Sequence, residues 1–149
     1  MADFSLVPTS ALGIEGDLAI DGLAYRESSG LETAIRLSLF TDRRAEEGDD
    51  RPDGVDGFGA DLRGWWGSAF MRSGAMGSRL WTLKRSPLTA ETRQRARDFA
   101  LEALAWFTET GIATAVRVET EVAAGGILKL GIEIDRDRDT QRFDFLWER

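Results

Sequence analysis

Thr89-Ala90-Glu91-Thr92-Arg93-Gln94-Arg95-Ala96-Arg97-Asp98-Phe99-Ala100-Leu101-Glu102-Ala103-Leu104-Ala105-Trp106-Phe107 is the stretch whose reading decides the fold. Ala96, Phe99, Ala100, Ala103, Leu104 and Phe107 recur at the i, i+3, i+4, i+7 spacing that lines up side chains along one stripe of a helix. Arg93, Arg97 and Glu102 lie off the stripe, and Trp106 sits at its edge. Thr89 follows Ser86-Pro87-Leu88 and can cap the first orphan N–H groups of the helix. Gly111 is placed to end it. This is expected to be the longest element and the core helix, with its aromatic stripe buried as core.

Downstream the period changes from 3.6 to 2. Val116, Val118, Thr120 and Val122 share one face, opposed by Arg117, Glu119 and Glu121. After Gly125-Gly126, Leu128, Leu130, Ile132 and Ile134 alternate with polar residues that include Lys129 and Glu133. Residues 135–140 read as a charged turn, and Phe143, Phe145 and Trp147 then alternate with Asp144, Leu146 and Glu148. Such alternation predicts an antiparallel three-strand meander with one buried face, and the core helix should cover it. The expected fold is α+β: a core helix packed on the C-terminal meander, with a second, shorter helix and a long Trp/Gly-rich loop.

The shorter helix is predicted over residues 30–40, with a strand as the alternative because Thr33 and Ile35 are β-branched. Ser29 and Glu32 fit a capping box, and Leu31, Ala34, Ile35, Ser38 and Leu39 keep helical spacing. Before it, residues 17–20 and 23–25 are candidate strands around an Asp21-Gly22 turn signal. Residues 1–15 lack periodicity and are expected to be an arm that orders on a partner, leaving 16–149 as a single domain. Residues 41–60 are acidic and rich in turn formers, and are expected to be a solvated loop. Their acids miss the spacing of a calcium loop.

Asp61-Leu62-Arg63-Gly64-Trp65-Trp66-Gly67 and Gly77-Ser78-Arg79-Leu80-Trp81 are the least ordinary part of the chain. Two adjacent tryptophans between glycines predict a loop clamped by aromatic anchors. It either closes the domain's own core or offers a surface. Arg63, Trp65, Trp66, Arg79 and Trp81 are the candidate partner-binding residues, because Trp and Arg are enriched in interface hot spots. Leu80 to Leu83 reads as a short strand or a helical turn.

Composition narrows the chemistry. Cysteine and histidine are absent, which rules out disulfides, Cys/His zinc sites and Ser-His-Asp or Cys-His catalysis. Asp135, Asp137 and Asp139 alternate, but intervening arginines favour a solvated turn over a cation site. No cofactor motif is present: Gly57-Phe58-Gly59 lacks the strand, the helix and the third glycine of a dinucleotide loop. Glu119 with Glu121, and Glu46 with Glu47, are carboxylate pairs, but Glu119 and Glu121 fall on the expected polar face, away from the apolar burial a glycosidase acid needs. The net charge of −7 disfavours nucleic acid as a partner. No apolar run is long enough to suggest a membrane span. No secretory signal is visible, so the chain is expected to be made and folded in a cytoplasm. Its basic side is almost all arginine, with Lys84 and Lys129 the two lysines.

Ser38-Leu39-Phe40-Thr41-Asp42-Arg43-Arg44-Ala45, an acidic Pro-Asp-Gly loop, Arg63-Gly64-Trp65-Trp66-Gly67 and Gly77-Ser78-Arg79-Leu80-Trp81 follow in that order. In this the chain, over roughly residues 15 to 147, resembles the small baseplate protein family of Mu-like phages and prophages, the gene 46 product type. The resemblance implies kinship with the small wedge protein of contractile tails and assembly with larger wedge subunits and other tail proteins. It also implies a place in the virion tail baseplate. Some relatives carry a lysozyme-like label, which implies a peptidoglycan hydrolase as the alternative. Glu32 and Asp61 would then be the candidate acids.

Overall fold

The computed structural model describes residues 30–52, 61–70 and 76–148 in full, and before them the backbone of six short strands. The sequence expectation of an α+β domain holds. Helix α1 (Gly30–Phe40) and helix α2 (Ala90–Glu109) share one apolar core with a three-stranded sheet.

Helix α2 forms where its apolar stripe predicts. Thr89 caps it in extended geometry, its hydroxyl oxygen accepting from the Thr92 N–H at 3.2 Å. Thr92 in turn donates its hydroxyl to the Pro87 carbonyl. Past the last turn, Gly111 adopts φ +75°, a conformation that ends helices and suits a residue without Cβ. All six residues of the apolar stripe are buried.

The sheet is the expected meander: β7 (Ala115–Ala123), β8 (Ile127–Arg136) and β9 (Asp139–Trp147), in the order β7-β8-β9 and antiparallel throughout. Register sets Val118 beside Ile132, and Ile132 beside Phe143. Leu128, Leu130, Ile132 and Ile134 are fully buried in the central strand. The charged turn is shorter than the sequence suggested. Asp135, Arg136, Asp139 and Thr140 all pair within the β8–β9 ladder, leaving Asp137 and Arg138 to make the turn. Val122, on the edge strand, is exposed although Leu128 and Trp147, level with it in the ladder, are buried.

The sheet's outer face is a mesh of opposite charges. Arg142 reaches Glu119, Glu133 and Asp144, while Arg117 reaches Glu133 and Asp135. Gly131 lies beneath the Arg142 guanidinium, which a Cβ would crowd.

Helix α1 starts and stops where its pattern places it. It buries Leu31, Ile35, Ser38 and Leu39. Ser38 donates to the Ala34 carbonyl and accepts from the Trp106 indole N–H at 3.0 Å, a polar link between the helices. Phe40 meets Phe145 edge-on at 5.9 Å, tying α1 to β9.

The six earlier strands are β1 (Ala2–Phe4), β2 (Leu6–Pro8), β3 (Gly16–Leu18), β4 (Ile20–Asp21), β5 (Ala24–Tyr25) and β6 (Glu27–Ser29). They pair as β1 with β6, β2 with β3 and β4 with β5. The expected strand over 17–20 is therefore divided between two pairings. Asp21, read as part of a turn, is a strand residue opposite Ala24. Local alternation over two or three residues is too short a signal to separate these partners.

Two substitutions should rank as their surroundings dictate. Ile132→Ala, in the middle of the covered face, should cost about 2–5 kcal/mol. Thr89→Ala should cost about 1 kcal/mol. Urea unfolding followed by circular dichroism, with an unchanged denaturant slope, checks both.

Candidate partner-binding site

The two tryptophan-bearing stretches are built onto the C-terminal end of α1. Asp42 and Ser78 form a parallel bridge. The Arg43 N–H donates to the Ser78 carbonyl, and the Ser78 N–H donates to the Thr41 carbonyl, both at 2.9 Å. This approach demands glycine at 77. Gly77 has φ +102°, and a Cβ there would collide with the Thr41 carbonyl. Ser78, buried, donates its hydroxyl to the Leu39 carbonyl and accepts from the Leu80 N–H. Leu80–Leu83 then makes a buried 3-10 turn, the helical-turn alternative of the sequence reading.

That turn carries Trp81 inward. The residue is 6% exposed, and its indole N–H donates to the Arg43 carbonyl at 2.7 Å. The Arg63 guanidinium stands 5.0 Å from the ring centroid. Arg63 also bonds Asp42 at 2.7 Å and Asp61 at 3.1 Å. Its backbone N–H donates to Asp61 as well, holding a non-glycine residue at φ +36°. The Asp42 hydrogen bond, opposed by partial burial and helped by Asp61, raises the Arg63 pKa above its ordinary value. One main-chain bond, from the Ala45 N–H to the Leu62 carbonyl at 3.1 Å, completes the attachment of this stretch.

Arg79 points the other way, into an ionic cluster. Its side chain is 15% exposed and bonds Glu102 of α2 at 2.9 Å and Asp49 at 3.1 Å, with Glu46 also at 3.1 Å. Its guanidinium lies 4.5 Å from the Phe99 ring centroid. Burial opposes its charge, and the hydrogen bonds and charges of Glu102 and Asp49 outweigh that, so its pKa is raised. Arg43 bonds Glu102 at 3.3 Å, and Arg95 bonds Asp50 at 2.6 Å. Residues 41–52, expected to be solvated loop, are thus strapped to α2, with the Asp49 side chain buried. The reason is long-range charge pairing, invisible to local composition. The remainder of that expected loop, 53–60, lies outside the described residues.

Trp65 and Trp66 face solvent. Trp65 folds over Gly67, where a Cβ would overlap its ring. Trp66 opens a 3-10 turn, Trp66–Phe70, and is 78% exposed. Its ring centroid lies 5.7 Å from that of Trp65 and 6.4 Å from that of Phe70, which is 82% exposed. Of the five residues singled out by sequence, two lie within the fold (Arg79 and Trp81), two form an exposed aromatic platform (Trp65 and Trp66), and Arg63 joins the two groups. Phe70 completes the platform and escaped the sequence reading. Its i, i+4 spacing from Trp66 was the available signal, obscured by the small residues around it.

Four of the carboxylates weighed for hydrolysis are engaged in ion pairs. Glu32 bonds Arg36 at 3.2 Å along α1, and Asp61, half exposed, bonds Arg63. Glu119 bonds Arg142, and Glu46 bonds Arg79. Among the described residues, no group of three or more acids is arranged to hold a metal ion.

Comparison with known proteins gives a consistent result. The family described as "Phage protein GP46" matches residues 31–141, from the first turn of α1 into β9. The chain is 41% identical to "Baseplate protein gp46" of Escherichia phage Mu over 134 residues, covering 90% of this chain and 87% of the relative. It is 36% identical to "Mu-like prophage FluMu protein gp46" of Haemophilus influenzae over 104 residues, covering 70% of this chain and 67% of the relative.

Gly77→Ala places a side chain at positive φ against the Thr41 carbonyl. It should destabilise the fold by about 1–3 kcal/mol and shift Trp81 emission to the red. Urea unfolding and intrinsic fluorescence check the two effects.

Proposed function

The chain belongs to the phage protein GP46 family, and from that membership we propose that it is a non-enzymatic structural subunit of a phage tail baseplate. More finely, it serves the wedge of a contractile tail, in a virion or a Mu-like prophage, and works by docking onto larger wedge subunits. The relative that carries the baseplate name aligns over most of both chains. Synthesis in the host cytoplasm precedes assembly into the tail.

One observation on this chain carries the assembly reading. Trp66 and Phe70 are both more than three-quarters exposed, on a turn whose neighbours are held by main-chain and ionic contacts. Two large rings kept in water cost free energy until something covers them. Trp and Arg at the centre of a protein contact carry much of its affinity. In this reading Trp65, Trp66 and Phe70 meet the partner directly. Arg63, Arg79 and Trp81 serve it by fixing the loop that presents them.

The test is size-exclusion chromatography with light scattering, on the protein alone and mixed with the large baseplate subunit encoded beside it. The expected result is a stoichiometric complex with tryptophan emission shifted to the blue. Trp66→Ala should weaken that complex by at least about 2 kcal/mol while leaving the unfolding midpoint within about 0.5 kcal/mol of the parent. Unchanged binding would remove the platform from the interface. Clearing of a cell-wall suspension that Glu32→Gln abolishes would replace the structural role with a hydrolytic one.

A further inference from the structure

We propose that Glu102, on the core helix, is a positioning residue for the aromatic platform. The inference deepens the docking reading above and rests on it only for its meaning in assembly. Glu102 touches none of the platform rings in the contacts described above. Its carboxylate bonds two arginines, one from each segment of the Asp42–Ser78 bridge: Arg79 at 2.9 Å and Arg43 at 3.3 Å.

From those arginines the connection to the loop runs through both main-chain and side-chain bonds. The Arg43 N–H is bonded to Ser78, and its carbonyl receives the Trp81 indole. Next to Arg43 on one side is Asp42, which holds the Arg63 guanidinium. Two residues on is Ala45, whose N–H holds the Leu62 carbonyl. Residues 61–63 lead directly into Trp65 and Trp66. The segment 42–45 is therefore gripped on one side by α2 and grips the platform loop on the other.

The cluster has the features of a fixed point. Arg79 is pinned by three carboxylates and lies over Phe99, itself buried in the α2 stripe. A planar guanidinium held by a carboxylate and an aromatic face has little rotational freedom left. Removing the Glu102 charge leaves Arg79 to Glu46 and Asp49, both on the strap itself. The strap would then keep its own pairing and lose both ion pairs to Glu102, leaving Arg95 with Asp50 and the Arg79 guanidinium over Phe99 as its contacts with α2. Loosening there should pass to the loop, since the bonds joining the two are few and short.

The test uses Glu102→Gln in the full chain, read by amide hydrogen exchange and by the emission of Trp66. That emission is isolated by subtracting spectra of the matching Trp66→Phe variants. Exchange at the Arg43, Ala45 and Ser78 amides should rise about tenfold, while amides in the middle of α2 and of β8 keep their protection. Trp66 emission and its quenching by acrylamide should change with them. Glu133→Gln, which breaks ion pairs on the far face of the sheet, is the control. It should alter stability and leave the Trp66 signal unchanged.

If Glu102→Gln raises exchange uniformly, or Glu133→Gln moves the Trp66 signal equally, the residue is only a general stabiliser and the inference falls. Glu102→Asp should restore part of the protection, and an effect as large as that of the glutamine variant would also overturn it. The partner mixture separates the two ideas. Should Trp66→Ala leave binding intact while Glu102→Gln still moves Trp66, the positioning stands and the docking reading fails.

Discussion

The burial of one face of α2 against the inner face of the sheet is the constraint on which everything else hangs. Phe107, Leu104, Leu130 and Ile132 are fully withdrawn from water, and apolar side chains of this size each contribute about 1.5–3 kcal/mol on burial. That contact fixes the position of α2. The edge of the helix beside Phe99 can then serve as a fixed rail, with Arg95 and Glu102 held at defined heights along it. Glu102 and Phe99 belong to the same few turns, so the ionic cluster inherits its geometry from the core.

A second, smaller interaction transmits this order. Residues 41–43 and 77–79 pair in parallel for barely more than one bridge, made possible by the bare Cα of Gly77. It joins segments more than thirty residues apart and seats Trp81 between them. The platform follows from subtraction. Trp81 and Arg79 are committed inward, Gly64 turns the chain at φ +118°, Gly67 leaves room for the Trp65 ring, and Trp66 and Phe70 stay on the outside.

The fold was largely legible because its main elements declare themselves locally. The α2 stripe, the Thr89 cap and the alternation of β7 to β9 each depend on neighbours within one helix or strand. The candidate site was only half legible. Trp and Arg between glycines marked the region, but which ring turns inward depends on the Arg43 carbonyl, 38 residues from Trp81. The strap of residues 43–50 was missed for the same reason. Its acids read as solvated until Arg79 and Arg95 arrive from elsewhere in the chain. Phe70 was hidden among residues too small to suggest a helical turn.

The exposed rings also bear on how copies of this chain meet one another. Each molecule carries a net charge of −7, so two copies repel before their aromatic patches can meet. That repulsion acts over a screening distance of about 10 Å at 0.1 M salt and shrinks as salt is added, whereas attraction between apolar rings does not weaken. The charge therefore opposes ring-to-ring encounters most in dilute buffer and least in concentrated salt. The balance between charge repulsion and the pull of the exposed rings is thus set by ionic strength.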